Sequence, residues 1–384
     1  MTYDFDRVID RRHTASLKWG RCGEDELPMW VADMDFEAPE PVIRALAERV
    51  QHGVFGYTEC TPELRAVVVE RLQCLYGWHV EPDALLFLPG VVPGFNVAAR
   101  AFTGPGDGLL IQTPVYPPIL HAAGEADLLF QSMELTQGRD GRYEVDDARF
   151  EAAMSDRTRM FLLCNPHNPV GRVFTPDELL RMAEICLRHD VLICSDEIHG
   201  DLIFSGHRHV PIASLSPEIE ARTVTLLAPS KTFNIAGLSC AFAVIPNPDL
   251  RKRFADARKG LVEYPNLLGY TAALAAYRDG GPWLAAAMAY LEANRDFVAA
   301  YAAEHLPGVR VTPSEGTFLA WLDCRSAGIP DNPYRFFRER GKVMLNDGAT
   351  FGPGGEGFVR LNFGCPRSLL TEGLERMRGA LASL

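Results

Sequence analysis

The sequence predicts an α/β protein with two parts. The larger is a mainly parallel sheet covered by helices on both faces; the smaller is α+β. Three observations predict it. Short runs are apolar from end to end, longer amphipathic stretches separate them, and the texture changes after about Gly280. Strands buried on both faces read as unbroken apolar runs, and their alternation with helices favours parallel pairing.

Taken in order, Ala84-Leu85-Leu86-Phe87-Leu88 is the first strand, ended by Pro89-Gly90. Gly108 to Gln112 is the second, followed by Thr113-Pro114, and Met160 to Cys164 is the third. Thr175-Pro176-Asp177-Glu178 opens a helix that runs to about Arg188. Thr175 is its N-cap, Pro176 occupies N1 and Glu178 completes a capping box. Val191 to Cys194 and Thr223 to Leu227 are two further strands. Beyond Gly280 an alanine-rich helix spans Trp283 to about His305. Short strands follow near Val309, Phe318 to Leu322 and Phe358 to Leu361, and a helix closes the chain. A length of 384 residues suits two domains. Residues 51–280 are expected to form the larger one, and residues 1–50 with 281–384 the smaller.

Composition narrows the function. The net charge of -12 opposes nucleic acid and anionic membranes. No segment has the uninterrupted apolar length of a membrane span, and the N-terminal residues lack a signal-peptide core. The nine cysteines are scattered without a C-x-x-C pair, which fits reduced thiols in a cytoplasmic protein. The ten histidines show no metal-ligand spacing, so no metal is expected.

Ligands of open α/β sheets bind at the carboxyl ends of the strands. Four segments there carry chemistry. Pro89-Gly90-Val91-Val92-Pro93-Gly94 joins a strand to a helix start, whose free N–H groups can hold a phosphate; alone the signal is weak, since such a glycine turn is usually only a turn. Asn165-Pro166-His167-Asn168-Pro169-Val170-Gly171 imposes an extended, turn-like backbone. Ser195-Asp196-Glu197-Ile198-His199 puts a carboxylate at a buried strand end, where it needs a cationic partner such as a protonated pyridine nitrogen. Ala228-Pro229-Ser230-Lys231-Thr232 places a lysine among small and apolar neighbours, and burial there lowers an amine's pKa as Schiff-base chemistry requires. The Arg251-Lys252-Arg253 run reads as a solvated helix face, and Trp30 fits core and pocket equally well.

The order of these segments resembles the fold-type-I enzymes of pyridoxal 5′-phosphate (PLP), the aspartate aminotransferase superfamily. Ser230 to Leu238, Pro28 to Phe36, Asn165 to Gly171 and Asp196 to His199 resemble one branch, the cystalysin-like carbon–sulfur lyases of the MalY/PatB type. The resemblance covers nearly the whole chain. It implies a PLP-dependent transferase-like large domain with a seven-stranded sheet. It implies that Lys231 carries the cofactor as a Schiff base, with Tyr116 and Tyr57 also catalytic. Asp196 would pair with the pyridine nitrogen, Asn168 donate to the ring's O3′, and Tyr116 stack on the ring. Val91, Val92 and Ser230 would hold the phosphate, joined by Tyr57 from the other subunit of a homodimer. His199 belongs to the cofactor set, and Arg360, Ala32 and Asn168 to the substrate set.

Two departures stand out. Many superfamily members carry tyrosine where this chain has His199, and an arginine where it has Ser239. The implied activity is β-elimination on cystathionine or another S-substituted cysteine, giving a thiol, pyruvate and ammonia. An aminotransferase on the same scaffold and a PLP-binding regulatory protein are the alternatives.

Overall fold

The computed structural model describes residues 3–384. Seven strands form one sheet: β1 (Leu85–Leu88), β2 (Gly108–Thr113), β3 (Leu129–Glu134), β4 (Thr158–Cys164), β5 (Leu192–Asp196), β6 (Thr223–Leu227) and β7 (Ala241–Val244). Their order across the sheet is β1-β7-β6-β5-β4-β2-β3. Strands β2 to β6 pair in parallel, while β7 runs antiparallel to both its neighbours. The five strands located from sequence are all present. The two that were not located are β3, a sheet edge with Leu129 and Phe130 exposed, and β7, which follows the lysine segment directly.

Period-two alternation distributes the strand side chains to both faces. Leu162 of β4 packs on one face with Val91, Phe95 and Ala98 of α3 (Val91–Phe102) and Ile119 of α4 (Pro117–Glu125), once α1 (Glu40–His52) and α2 (Pro62–Tyr76) have been passed along the chain. Phe161 and Leu163 pack on the other face against Leu179 and Met182 of α5 (Pro176–Arg188). Leu64, Val68 and Leu72 of α2 cover Leu85, Phe87 and Phe242 at the β1 edge. Helix α5 begins with the expected capping box between Thr175 and Glu178.

A second sheet contains β8 (Arg310–Val311), β9 (Leu319–Asp323), β10 (Asn346–Asp347) and β11 (Phe358–Asn362), in the antiparallel order β8-β9-β11-β10. Its core joins Trp283, Val298, Phe337 and Leu361 to N-terminal Phe5, Trp19, Leu27 and Met29. Leu27–Pro28 also pairs in parallel with Val343–Met344. Helix α1 packs on α6 (Leu267–Asp279), which precedes α7 (Gly281–His305), so the N-terminal residues touch more than the second sheet's core. In the Arg251-Lys252-Arg253 run, Lys252 and Arg253 are exposed. Arg251 is half-buried and turns back onto the carbonyls of Ile245 and Pro246.

Candidate active site

The four segments chosen from sequence converge on one cavity of about 450 Å³. Gly90, Val91 and Val92 line it from the start of α3, Asn168 from the loop after β4, Asp196 and His199 from the end of β5, and Ser230 and Lys231 from the turn after β6. Tyr116, Trp30, Ala32, Ser239 and Arg360 complete the wall. The size suits a cofactor with a small substrate.

Lys231 lies on a single helical turn, Pro229–Thr232. Its Nζ donates to the carbonyl of Ala32 at 2.6 Å. Burial pushes the amine down to about 8; Arg360 pushes the same way, while Asp33 and Asp196 oppose it. The N-terminal segment reaches this point because Asn234 clamps it. Asn234 accepts from the Met34 amide at 2.9 Å and donates to the carbonyls of Met34 and Phe36. Asn362 holds the same segment by donating to the carbonyls of Val31 and Asp33. Asn234 stood inside a motif already singled out and Asn362 just past the last expected strand, but their partners lie about 200 and 330 residues away in sequence, so their clamping role was not legible.

Asp196 is buried at the end of β5, and its carboxylate accepts one hydrogen bond, from the Ile198 amide at 3.2 Å. Burial without a full ionic partner pushes it up to about 7. A cationic ring nitrogen is the partner it lacks. At the other wall, Gly90 caps α3 with no side-chain hydrogen bond, which leaves first-turn amides free for an anion. Ser230 and Ser239 bring hydroxyls to the same cavity. Donor set, carboxylate and amine therefore fit PLP.

Arg360 is buried on β11, and all its partners are uncharged: Asn168 Oδ1 at 3.0 Å, the Trp30 carbonyl at 2.8 Å and Asn346 Oδ1 at 2.6 Å. Its Nε has no partner, and burial pushes the guanidinium down to about 10. A guanidinium with only neutral partners has the geometry to take a carboxylate. Trp30 faces this cavity, so the ambiguity over its place resolves toward the pocket. Asn346 and Ser239 are additional lining residues.

Tyr116 caps α4, its amide bonded to the Asn168 carbonyl; burial raises its hydroxyl pKa, so the phenol stays protonated. His199 is buried with an unpartnered Nδ1; burial, then Lys231 and Arg360, lowers it to about 3, so it is neutral. Tyr57 is absent from this wall. It is fully exposed on a segment without regular structure just before α2.

Residues 25–377 match the family described as aminotransferase class I and II. Cystathionine beta-lyase PatB of Bacillus subtilis is 42% identical, covering 99% of this chain and 100% of that protein. The crystal structure of OvoB superposes with a TM-score of 0.95 at 46% identity, over 100% of both chains. Cystalysin from Treponema denticola, whose structure contains pyridoxal 5′-phosphate, superposes with a TM-score of 0.95 at 35% identity, again over both whole chains.

Proposed function

The chain belongs to the aminotransferase class I and II family, and from that premise we propose a PLP-dependent carbon–sulfur β-lyase acting on cystathionine or another S-substituted cysteine. The observation that carries it is one cavity holding an amine of lowered basicity, a buried carboxylate without a cation, and a buried guanidinium without an anion. When bound, PLP supplies the electron sink that makes a Cα proton acidic. Every other requirement falls to side chains of the chain.

Arg360 takes the substrate carboxylate as a fork, and Asn168, already bonded to Arg360, sits beside it. Asp196 keeps the ring nitrogen protonated. Lys231, once free, takes the Cα proton, because an amine near 8 is partly neutral at physiological pH. Val91, Val92 and Ser230 hold the phosphate; Tyr116 packs on the ring as an uncharged phenol; neutral His199 and the Ala32 backbone border the reacting atoms. A thiolate then leaves from Cβ and takes up a proton, and water hydrolyses the remainder to pyruvate and ammonia.

Tyr57, fully exposed here, belongs in this reading to the phosphate site of a second copy, which makes the working unit a homodimer. The chain's nine cysteines are all free and six are buried, as suits a cytoplasmic enzyme. Among the described residues no helix is long and apolar enough to cross a membrane.

The test is an absorbance spectrum followed by a pyruvate assay. The purified protein absorbs near the visible edge, Lys231→Ala loses that band, and cystathionine or an S-alkyl cysteine yields pyruvate and thiol with no 2-oxo acid added. Turnover that requires a 2-oxo acid and releases no thiol makes the protein an aminotransferase. Site sharing is checked by mixing Lys231→Ala with Tyr57→Ala: mixed dimers that recover part of the activity support it, and strict additivity of two dead variants refutes it.

A further inference from the structure

Behind the cavity a second connection joins the two segments that hold the reactive amine and the ring-facing carboxylate. Asp201 lies five residues after Asp196 in a chain folded by tight turns, with the Gly200 amide on the Glu197 carbonyl and the Leu202 amide on the His199 carbonyl. Its Oδ2 accepts the hydroxyl of Thr232, the residue next to Lys231, at 2.9 Å. Its Oδ1 accepts Arg71 Nη2 of α2 at 2.6 Å. Thr232 is wholly buried, so that hydroxyl has no water to turn to.

The end of β5 is locked from the same side. Glu197 Oε1 accepts the Ser195 hydroxyl at 2.8 Å and the Ile212 amide at 3.3 Å, and its Oε2 meets His209 Nε2 at 2.9 Å. A cavity of about 20 Å³ between Arg71, Tyr76, Glu197, Asp201 and Tyr277 has room for a single water. Gly200 is packed close, since a Cβ there would lie 3.0 Å from the His209 ring.

We propose that Asp201 is a positioning residue: gripping Thr232 and gripped by Arg71, it is a strut that fixes Lys231 relative to Asp196. The inference rests on the reading of one PLP ring held between those two residues. Lys231 would hold a rigid ring at one end and Asp196 at the other, so slack between their segments would displace the amine from the atom it must deprotonate. Misplacement on the scale of 1 Å costs up to about a hundredfold in rate. Arg71 carries the strut to α2, so the lysine turn is tied through Asp201 to a third element of the fold.

The experiment uses the PLP-loaded enzyme and Thr232→Val, which keeps the branched shape and removes the hydroxyl. Three readouts are taken: the pH titration of the visible band, the rate at which PLP reoccupies stripped enzyme, and kcat against KM. The titratable groups facing Lys231 are Asp33, Arg360, Asp196 and His199, and those facing Asp201 are Arg71, Tyr76 and Tyr277; the variant leaves all of them in place. A slackened turn admits water to the nitrogen and weakens the burial that lowers its basicity. The band midpoint therefore rises by about half a pH unit or more. Reoccupation slows, kcat falls about tenfold or more, KM stays within about twofold because Arg360 is untouched, and Thr232→Ser recovers most of the loss. Arg71→Met is the second variant, should Thr232→Val fold poorly, and it moves the same readouts in the same direction. Variants that bind PLP with an unmoved midpoint and unchanged kcat overturn the strut. A wild-type protein that shows no visible band with PLP removes the cofactor reading instead.

Discussion

Two groups of buried charge lie on either side of residues 30–36, and they are opposite in kind. Toward the N-terminus, Asp35 receives Lys18 Nζ at 2.6 Å, Arg11 Nη1 at 2.6 Å and Trp19 Nε1 at 2.9 Å. Asp33 receives Arg11 Nη2 at 2.7 Å. Burial alone would raise the Asp35 carboxyl, but Lys18, Trp19 and Arg11 outweigh it and the net shift is downward. On the cavity side, Lys231, Asp196 and Arg360 all shift toward their neutral forms, because burial has no comparable answer. The Ala32 and Trp30 carbonyls touch Lys231 and Arg360 but bring no charge. Burial of a charge does not by itself mark a site. A buried charge whose hydrogen-bond partners are all neutral does, because a ligand's charge completes it.

The contrast predicts that mutations in the two groups separate stability from activity. The largest effect is expected at Lys18, which is 1% exposed. Lys18→Met leaves the buried Asp35 with Arg11 as its one cation and costs about 4 kcal/mol of unfolding free energy. Equilibrium denaturation at neutral pH measures it. A loss under about 1 kcal/mol would mean that Arg11 and Trp19 suffice, and the group would no longer count as structural.

Arg360→Met is expected to do the reverse. Losing three neutral hydrogen bonds is offset by no longer burying an unanswered cation, so unfolding free energy changes by about 1 kcal/mol or less. The kcat/KM for a thioether amino acid falls about a hundredfold, because a charge-assisted fork to the substrate carboxylate is gone. Steady-state kinetics beside a denaturation curve reads both. A large stability loss with little kinetic change would make Arg360 part of the scaffold.

Much of this arrangement was legible in the sequence, for a physical reason. Strand ends, glycine turns and the Thr175 capping box are local, so Lys231, Asp196, Asn168 and Val91 could be placed at the carboxyl ends of the strands from order alone. The missing pieces are non-local. Arg11 and Lys18 carry no local signal of a partner, and only folding brings them to Asp33 and Asp35. Thr232 looks like filler beside a lysine until Asp201 arrives from another strand end. β3 escaped because its Leu129-Phe130-Gln131-Ser132-Met133-Glu134 pattern is that of an exposed edge, and β7 because it merges into the lysine segment. Tyr57 was singled out through resemblance, since nothing around it in one chain gives it a task.

The smallest expected effect sharpens the comparison most, because its sign depends on pH. In enzyme stripped of PLP, the Asp196 carboxyl titrates near 7 when folded and near 3.8 when unfolded. Between those values the folded state holds a proton that the unfolded state has released, so this group's contribution to stability falls as pH rises from about 4 to about 7. Asp35 has the opposite sign: its lowered carboxyl adds stability that is lost as pH falls. Asparagine at 196 does not titrate, so Asp196→Asn in the stripped enzyme gains on wild type with rising pH, by on the order of 2 kcal/mol between pH 5 and pH 8. Adding PLP reverses the ranking, because a cationic ring nitrogen then answers the wild-type carboxylate and finds no charge in the variant. Thermal melting of stripped and loaded forms at about pH 5 and pH 8 reads all four cases. If the variant and wild type differ by the same amount at both pH values without PLP, Asp196 is not an uncompensated charge, and the distinction between the two groups fails at its central member.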